Sequence, residues 1–203
     1  MRRSARLFSS LLFLLAISTT ASAGRLAEPM VEYSAETMTI TGGLFSTGKV
    51  YHAPYMERRE ERAPGKEQVT ITRMDKLVVW LLMPGEKTYI EIPVRQAMER
   101  SQSPEDLDYQ YTRLGPELIN GIITIKSRME AVGQNGTVYE GYIWVTGEGI
   151  LLKMVSRERG RPWTEVSTEL QGLKIGPQPR SLFEVPKGYK LNAGPGGFGG
   201  PWR

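Results

Sequence analysis

Apolar and polar residues alternate along most of this chain in short runs, and the runs are separated by Gly, Pro and Asn. Period two is the signature of a half-buried β-strand. Residues 68–74 show it plainly, with Val69 and Ile71 set against Thr70 and Thr72. The same reading predicts strands over 31–41, 48–58, 87–92, 109–114, 122–132, 137–145, 150–158 and 163–173. Residues 77–83, LVVWLLM, are apolar at every position and predict a central strand covered on both faces. Pro54 falls inside the second run, as expected of an edge strand or a bulge. Turns are expected at Ala63-Pro64-Gly65-Lys66, at Pro84-Gly85 and at Asn135-Gly136, the last a strong hairpin signal.

Helical signals are few. Residues 93–101 predict one helix. A second would open at Ser103-Pro104-Glu105-Asp106, which offers a cap, a first-turn proline and two acids at the positive end of the helix dipole. About ten strands at hairpin spacing with so little helix predict a mainly β, α+β architecture: a curved antiparallel sheet with one or two short helices.

The chain opens differently. Arg2, Arg3 and Arg6 precede an apolar stretch over 7–17, and Ala21-Ser22-Ala23 comes after it as a small-x-small cleavage site. That pattern is a secretory signal peptide of the Sec type, and the stretch is well short of the roughly 20 residues that cross a bilayer. The expected organisation is a signal peptide over 1–23, one domain over 24–191 and a disordered Gly/Pro-rich tail, NAGPGGFGGPWR, over 192–203. The expected compartment is the periplasm.

The net charge of +4 includes those three leader arginines, so removing them leaves +1. That balance, with arginines scattered among glutamates as in Glu57-Arg58-Arg59-Glu60-Glu61-Arg62, argues against nucleic acid and reads as a solvated surface. The chain has no Cys and one His. Thiolate chemistry and Cys-ligated metals are thereby excluded, a zinc site is disfavoured, and stability must come from the core alone. No cofactor is expected.

Three stretches raise and then lose catalytic readings. Gly43, Gly48 and Lys49 fit the start of a phosphate-binding loop, but Val50 stands where the magnesium-holding hydroxyl belongs. The residues beyond Val50 are strand-like, so Gly42, Gly43 and Gly48 are expected to serve a hairpin turn. Ser46-Thr47-Gly48-Lys49 fits S-x-x-K, but no S-D-N or K-T-G accompanies it. A hydrolase could in principle use His52 or a carboxylate pair drawn from Asp75, Glu91, Glu117 and Glu140. For His52, a strand histidine with a local hydrogen bond is the simpler reading. The protein is expected not to be an enzyme.

What remains is an excess of inward apolar and aromatic side chains, among them Trp80, Leu82, Met83, Tyr89, Tyr139, Tyr142, Trp144 and Met154. A curved sheet either packs such residues tightly or leaves an apolar hollow. Several segments then resemble the LolA-like proteins: GKVY at 48–51, TRMDKLVVWLLMPGEKTYIEIP at 72–93, LGPELINGI at 114–122, YEGYIWV at 139–145 and SLFEVPKGYKL at 181–191. The resemblance runs over about residues 31–191 and is nearest to a periplasmic subgroup distinct from the lipoprotein carriers. It implies a half-open β-barrel with helices over its concave face. It also implies that an arginine near Arg58 ties that cover down, and that the hollow accepts acyl chains. The ligand-binding residues it suggests are Arg58, Trp80, Leu82, Tyr89, Tyr142 and Trp144.

The function expected is a non-catalytic periplasmic carrier or binding protein for a lipid or other hydrophobic ligand, acting as a monomer with transient membrane contact. The alternative is an envelope sensor or scaffold that binds a protein partner. The leader pattern yields the first testable outcome: exported protein begins at Gly24. N-terminal sequencing of the secreted form checks it, and an intact Met1 or a start inside the domain contradicts it.

Overall fold

The computed structural model describes residues 21–24, 26–63, 66–100, 109–133 and 135–192. The leader over 1–20, the second helix expected at 103–106 and the tail beyond 192 lie outside the described residues. Thirteen strands are described: β1 Ala21–Gly24, β2 Tyr33–Thr41, β3 Leu44–Ala53, β4 Met56–Ala63, β5 Lys66–Arg73, β6 Val78–Met83, β7 Thr88–Pro93, β8 Tyr109–Ile119, β9 Ile122–Val132, β10 Val138–Thr146, β11 Leu151–Glu158, β12 Arg161–Ile175 and β13 Lys190–Leu191. One helix, α1 Val94–Arg100, comes directly after β7. The expected cleavage point after Ala23 falls inside β1.

All thirteen strands join one open sheet in the order β1-β8-β9-β10-β11-β12-β2-β3-β4-β5-β6-β7-β13. Two runs of hairpins, β2 to β7 and β8 to β12, meet where β12 pairs antiparallel with β2. Only β13 pairs in parallel, on the free edge of β7. This is the mainly β, open antiparallel sheet with little helix that the sequence predicts.

Four local expectations change. The run expected as one strand over 48–58 is two, because Pro54 and Tyr55 make a turn between β3 and β4. Proline cannot donate to a ladder, and Tyr55 accepts the left-handed backbone, φ 66°. Gly48 is not a turn residue: it sits mid-β3, where a side chain would collide with the carbonyl oxygen of Glu60 on β4. Gly42 and Gly43 do make the turn, both at positive φ. The charged run at 57–62 is itself strand β4 and sends alternate residues to opposite faces. Strand β6 is not fully covered either; it alternates between buried and half-buried positions.

Residues opposite one another in the ladders share a face, so the pairings sort the core into two layers. On the first face, Tyr33, Ala35, Val50, Leu152 and Leu170 pack together, and Met129, Ala131, Ile143 and Met154 form an adjoining cluster. On the second face, Ala53, Val69, Ile71, Val78, Trp80 and Leu82 pack against Phe183, which is fully buried. Phe183 belongs to a 3-10 turn, Arg180–Phe183, in the segment that leads back to β13. The segment lays Leu182, Val185 and Tyr189 over the β4–β7 region.

Polar anchors hold this C-terminal strap. Glu32 accepts hydrogen bonds from the Gln178 backbone N–H at 2.6 Å and from Arg180 at 2.9 Å. Arg58 donates to the Leu182 carbonyl at 3.3 Å and to Glu60 at 2.8 Å. Arg73, nearly buried, donates to the Phe183 carbonyl at 3.0 Å and also to Glu184. Truncating Phe183 therefore removes the fully buried aromatic ring by which the strap fills this layer. Phe183→Ala is expected to cost about 3–5 kcal/mol, read as a lower urea midpoint with an unchanged slope; a loss below about 1 kcal/mol would mean that the strap is not a structural element.

Candidate functional site

Four of the six residues suggested as a ligand site lie beneath the strap. Trp80 and Leu82 on β6 are buried in the Phe183 layer, and Tyr89 on β7 packs against it. The Trp80 indole N–H donates to Glu91 at 2.9 Å, and Lys76 sits 5.4 Å from its ring centroid. The resemblance implied that an arginine near Arg58 holds covering helices; Arg58 donates to the Leu182 carbonyl of the C-terminal segment. The apolar surface these residues offer is taken up internally.

Tyr142 and Trp144 share that face by register but stand on β10, five strand spacings from β4, or about 24 Å along the sheet. Their rings are 6.2 Å apart. Lys126 lies 5.1 Å from the Tyr142 centroid and 4.8 Å from that of Trp144, while Lys153 lies 5.6 Å from the latter. The lysines are themselves paired, Lys126 with Glu117 at 3.1 Å and Lys153 with Glu169 at 2.9 Å. The hydrogen bond from Lys126 holds Glu117 below the usual carboxylate range. The lysines of the patch are paired and cap its aromatic faces, while the buried Trp144 indole N–H has no hydrogen-bond partner among the described residues. The two halves of the suggested site do not meet.

The first face is different. A hollow of about 320 Å³ is lined by Leu26, Tyr111, Arg113, Ile125, Ser127, Ile143, Val145 and Thr146. A second, of about 300 Å³, is lined in part by Leu26, Pro29, Tyr33, His52, Arg59 and Leu151. A small void of about 50 Å³ shares Tyr33, Arg59 and Leu151 with it. Leu26 borders both large hollows, and Leu151 borders the second and the small void, so the three lie side by side as a partitioned trough along the face. Each large hollow reaches the lower end of the roughly 300–1,000 Å³ typical of small-ligand sites.

An N-terminal strap crosses this trough. Leu26 packs on the Met129 cluster and Val31 on the Tyr33 cluster. His52 donates from Nε2 to the Pro29 carbonyl at 2.9 Å and stacks on Tyr33 with centroids 4.9 Å apart. The Tyr55 backbone N–H donates to Glu28 at 2.7 Å. His52 is thus a buried strand histidine with a local hydrogen bond. The carboxylates considered for catalysis are also separately engaged: Asp75 by Arg73, Glu91 by Trp80, Glu117 by Lys126, and Glu140 by Arg157 and Arg159. Among the described residues no group of three His, Asp or Glu is placed to hold a metal ion, and no helix is long and apolar enough to cross a membrane.

Leu26, Ile125, Val145, Leu151 and Arg113 were not among the residues suggested by the sequence. A signal for them exists in the i, i+2 series Ile123, Ile125, Ser127, Met129 and Tyr139, Gly141, Ile143, Val145. The suggested pair Tyr142 and Trp144 is the opposite parity of the same strand, and a shift of one residue moves every side chain to the other face.

No known family's sequence profile matches the chain, and no curated protein matches it in sequence. Solved structures do match. An uncharacterized conserved protein from Thermus thermophilus superposes with a TM-score of 0.57 at 15% identity, covering 80% of this chain and 90% of that one. MucB superposes with a TM-score of 0.53 at 12% identity over 79% of this chain, which spans 59% of MucB's length. MucB in the Pseudomonas aeruginosa MucA/MucB complex gives 0.50 at 13% identity, over 76% of this chain and 56% of that one. At these identities the likeness is one of fold.

The strap's electrostatics carry a pH dependence. A bidentate hydrogen bond from Arg73 lowers the Asp75 pKa from its ordinary 3.8. Burial acts to raise that of Glu184, but hydrogen bonds from Lys76 and Arg73 prevail and lower it from 4.5. Depressed carboxylates stabilise the fold above their unfolded pKa, and that contribution is lost as pH falls through the folded value. The urea-midpoint gap between wild type and Arg73→Gln should therefore be constant above roughly pH 5 and narrow as pH falls further. A gap that widens on acidification contradicts the assignment.

Proposed function

We propose that the protein is a non-catalytic binding protein of the bacterial periplasm whose first-face trough encloses an acyl chain or another apolar ligand. The observation that carries this reading is the contrast between the faces. The strap and Phe183 fill the apolar layer over β4–β7, and the hollows elsewhere on the second face, of about 300 and 310 Å³, are walled by charged residues such as Lys49, Glu60, Glu140 and Arg157, whereas the first face keeps two mainly apolar hollows of about 300 and 320 Å³ whose cover among the described residues is Leu26–Met30. Enclosure alone suffices for affinity, because each CH₂ taken from water contributes about 0.8 kcal/mol. The leader pattern of Arg2 to Ala23 supports export.

Likeness to MucB favours a second reading, a domain that binds a protein partner, since MucB has been solved in complex with MucA. The two are separated by titrating the protein with the neutral fluorescent probe N-phenyl-1-naphthylamine. The trough reading expects saturable enhancement that Val145→Trp removes by filling the hollow and that Tyr89→Ala on the opposite face leaves intact. Absence of enhancement in the wild type, or enhancement that survives Val145→Trp in a folded variant, overturns it and leaves the partner reading.

A further inference from the structure

Resting on that reading, we propose that the trough selects a single-chain anionic amphiphile, with Arg113 pairing its headgroup at the mouth of the larger hollow. Arg113 stands on β8 opposite Ser127, which is itself opposite Ile143 on β10. That pairing places its side chain on the first face, where it lines the hollow with Leu26, Ile125, Ile143 and Val145. It is the one charged residue lining that hollow among the described residues.

Its isolation from carboxylates distinguishes it on this face. Arg58, Arg59, Arg62, Arg73, Arg95, Arg157, Arg159, Arg161 and Arg180 all pair with carboxylates, while no described carboxylate pairs with Arg113. Arg128 also has no such pair, but it stands opposite Tyr142 and so belongs to the second face. The arginine of the neighbouring hollow, Arg59, is engaged by Glu57 at 2.6 Å. An exposed guanidinium at the rim of an apolar cavity keeps its hydration while empty and offers a fork matched to a carboxylate or phosphate. A chain with a negative head thus satisfies both parts of the hollow, its methylenes against Leu26, Ile125 and Val145 and its charge at Arg113. A chain with a positive head meets like charge there.

The test is displacement of N-phenyl-1-naphthylamine by palmitate, hexadecanol and hexadecyltrimethylammonium, each below its micelle concentration. Palmitate is expected to compete about five- to tenfold better than hexadecanol, the range of a partly exposed charge-assisted pair, and the ammonium worst. Arg113→Gln should erase the palmitate preference and leave hexadecanol unchanged. Arg113→Lys should keep part of the preference, and Arg128→Gln, on the second face, should keep all of it. Equal competition by palmitate and hexadecanol in the wild type, or a preference that survives Arg113→Gln, overturns the inference while the trough reading stands. Failure of all three amphiphiles to compete overturns the trough reading itself, and the inference with it.

Discussion

The Arg73 guanidinium organises this fold. It donates to both Asp75 oxygens at 2.8 and 2.6 Å and, across more than a hundred residues, to the Phe183 carbonyl and the Glu184 carboxylate. Five donors in a rigid fork allow one side chain to do this, and a nearly buried arginine must be satisfied in this way. The consequence is positional. The C-terminal strap is fixed over β4–β7, Phe183 fills the layer beneath it, and the second face has no room left there for a guest. The apolar hollows that remain lie on the other face.

A sheet that buries apolar residues on both faces behaves as a septum between two small cores. β3 sits where they meet: Val50 is buried on the first face and Ala53 on the second. Neither layer has a disulfide to reinforce it, and each is closed by a terminal segment held by side chain–backbone hydrogen bonds. Arg58 and Arg73 hold the C-terminal segment and His52 holds the N-terminal one. Among the described residues the N-terminal cover is the slighter of the two.

Much of the architecture was legible in the chain. Alternation as in Val69 and Ile71 locates strands because one polar and one apolar face are enough to set the period. The Asn135-Gly136 hairpin and the break at Pro84-Gly85 come from local backbone preference. The split at Pro54 was misplaced because a proline in a run signals a defect without saying whether the chain turns. Gly48 was misread because close approach to Glu60 is a tertiary fact. The site was harder to find. In β10 both parities are apolar, Tyr142 and Trp144 against Ile143 and Val145, so periodicity cannot tell which face is open. That Phe183 would plug the face beneath Trp80 and Leu82 depends on contacts between residues a hundred positions apart. Arg113 gave no signal in the sequence, since an arginine without a carboxylate beside it is visible only once all the pairings are known.

A photoreactive ligand reports directly which face of the sheet receives the guest. Cross-linking the protein with a diazirine-bearing acyl chain and mapping the modified peptides should place the label on Leu26, Ile125, Val145 or Leu151. Label concentrated on Trp80, Leu82, Tyr89 or Phe183 would show that the strap opens to admit the ligand, and would contradict the account.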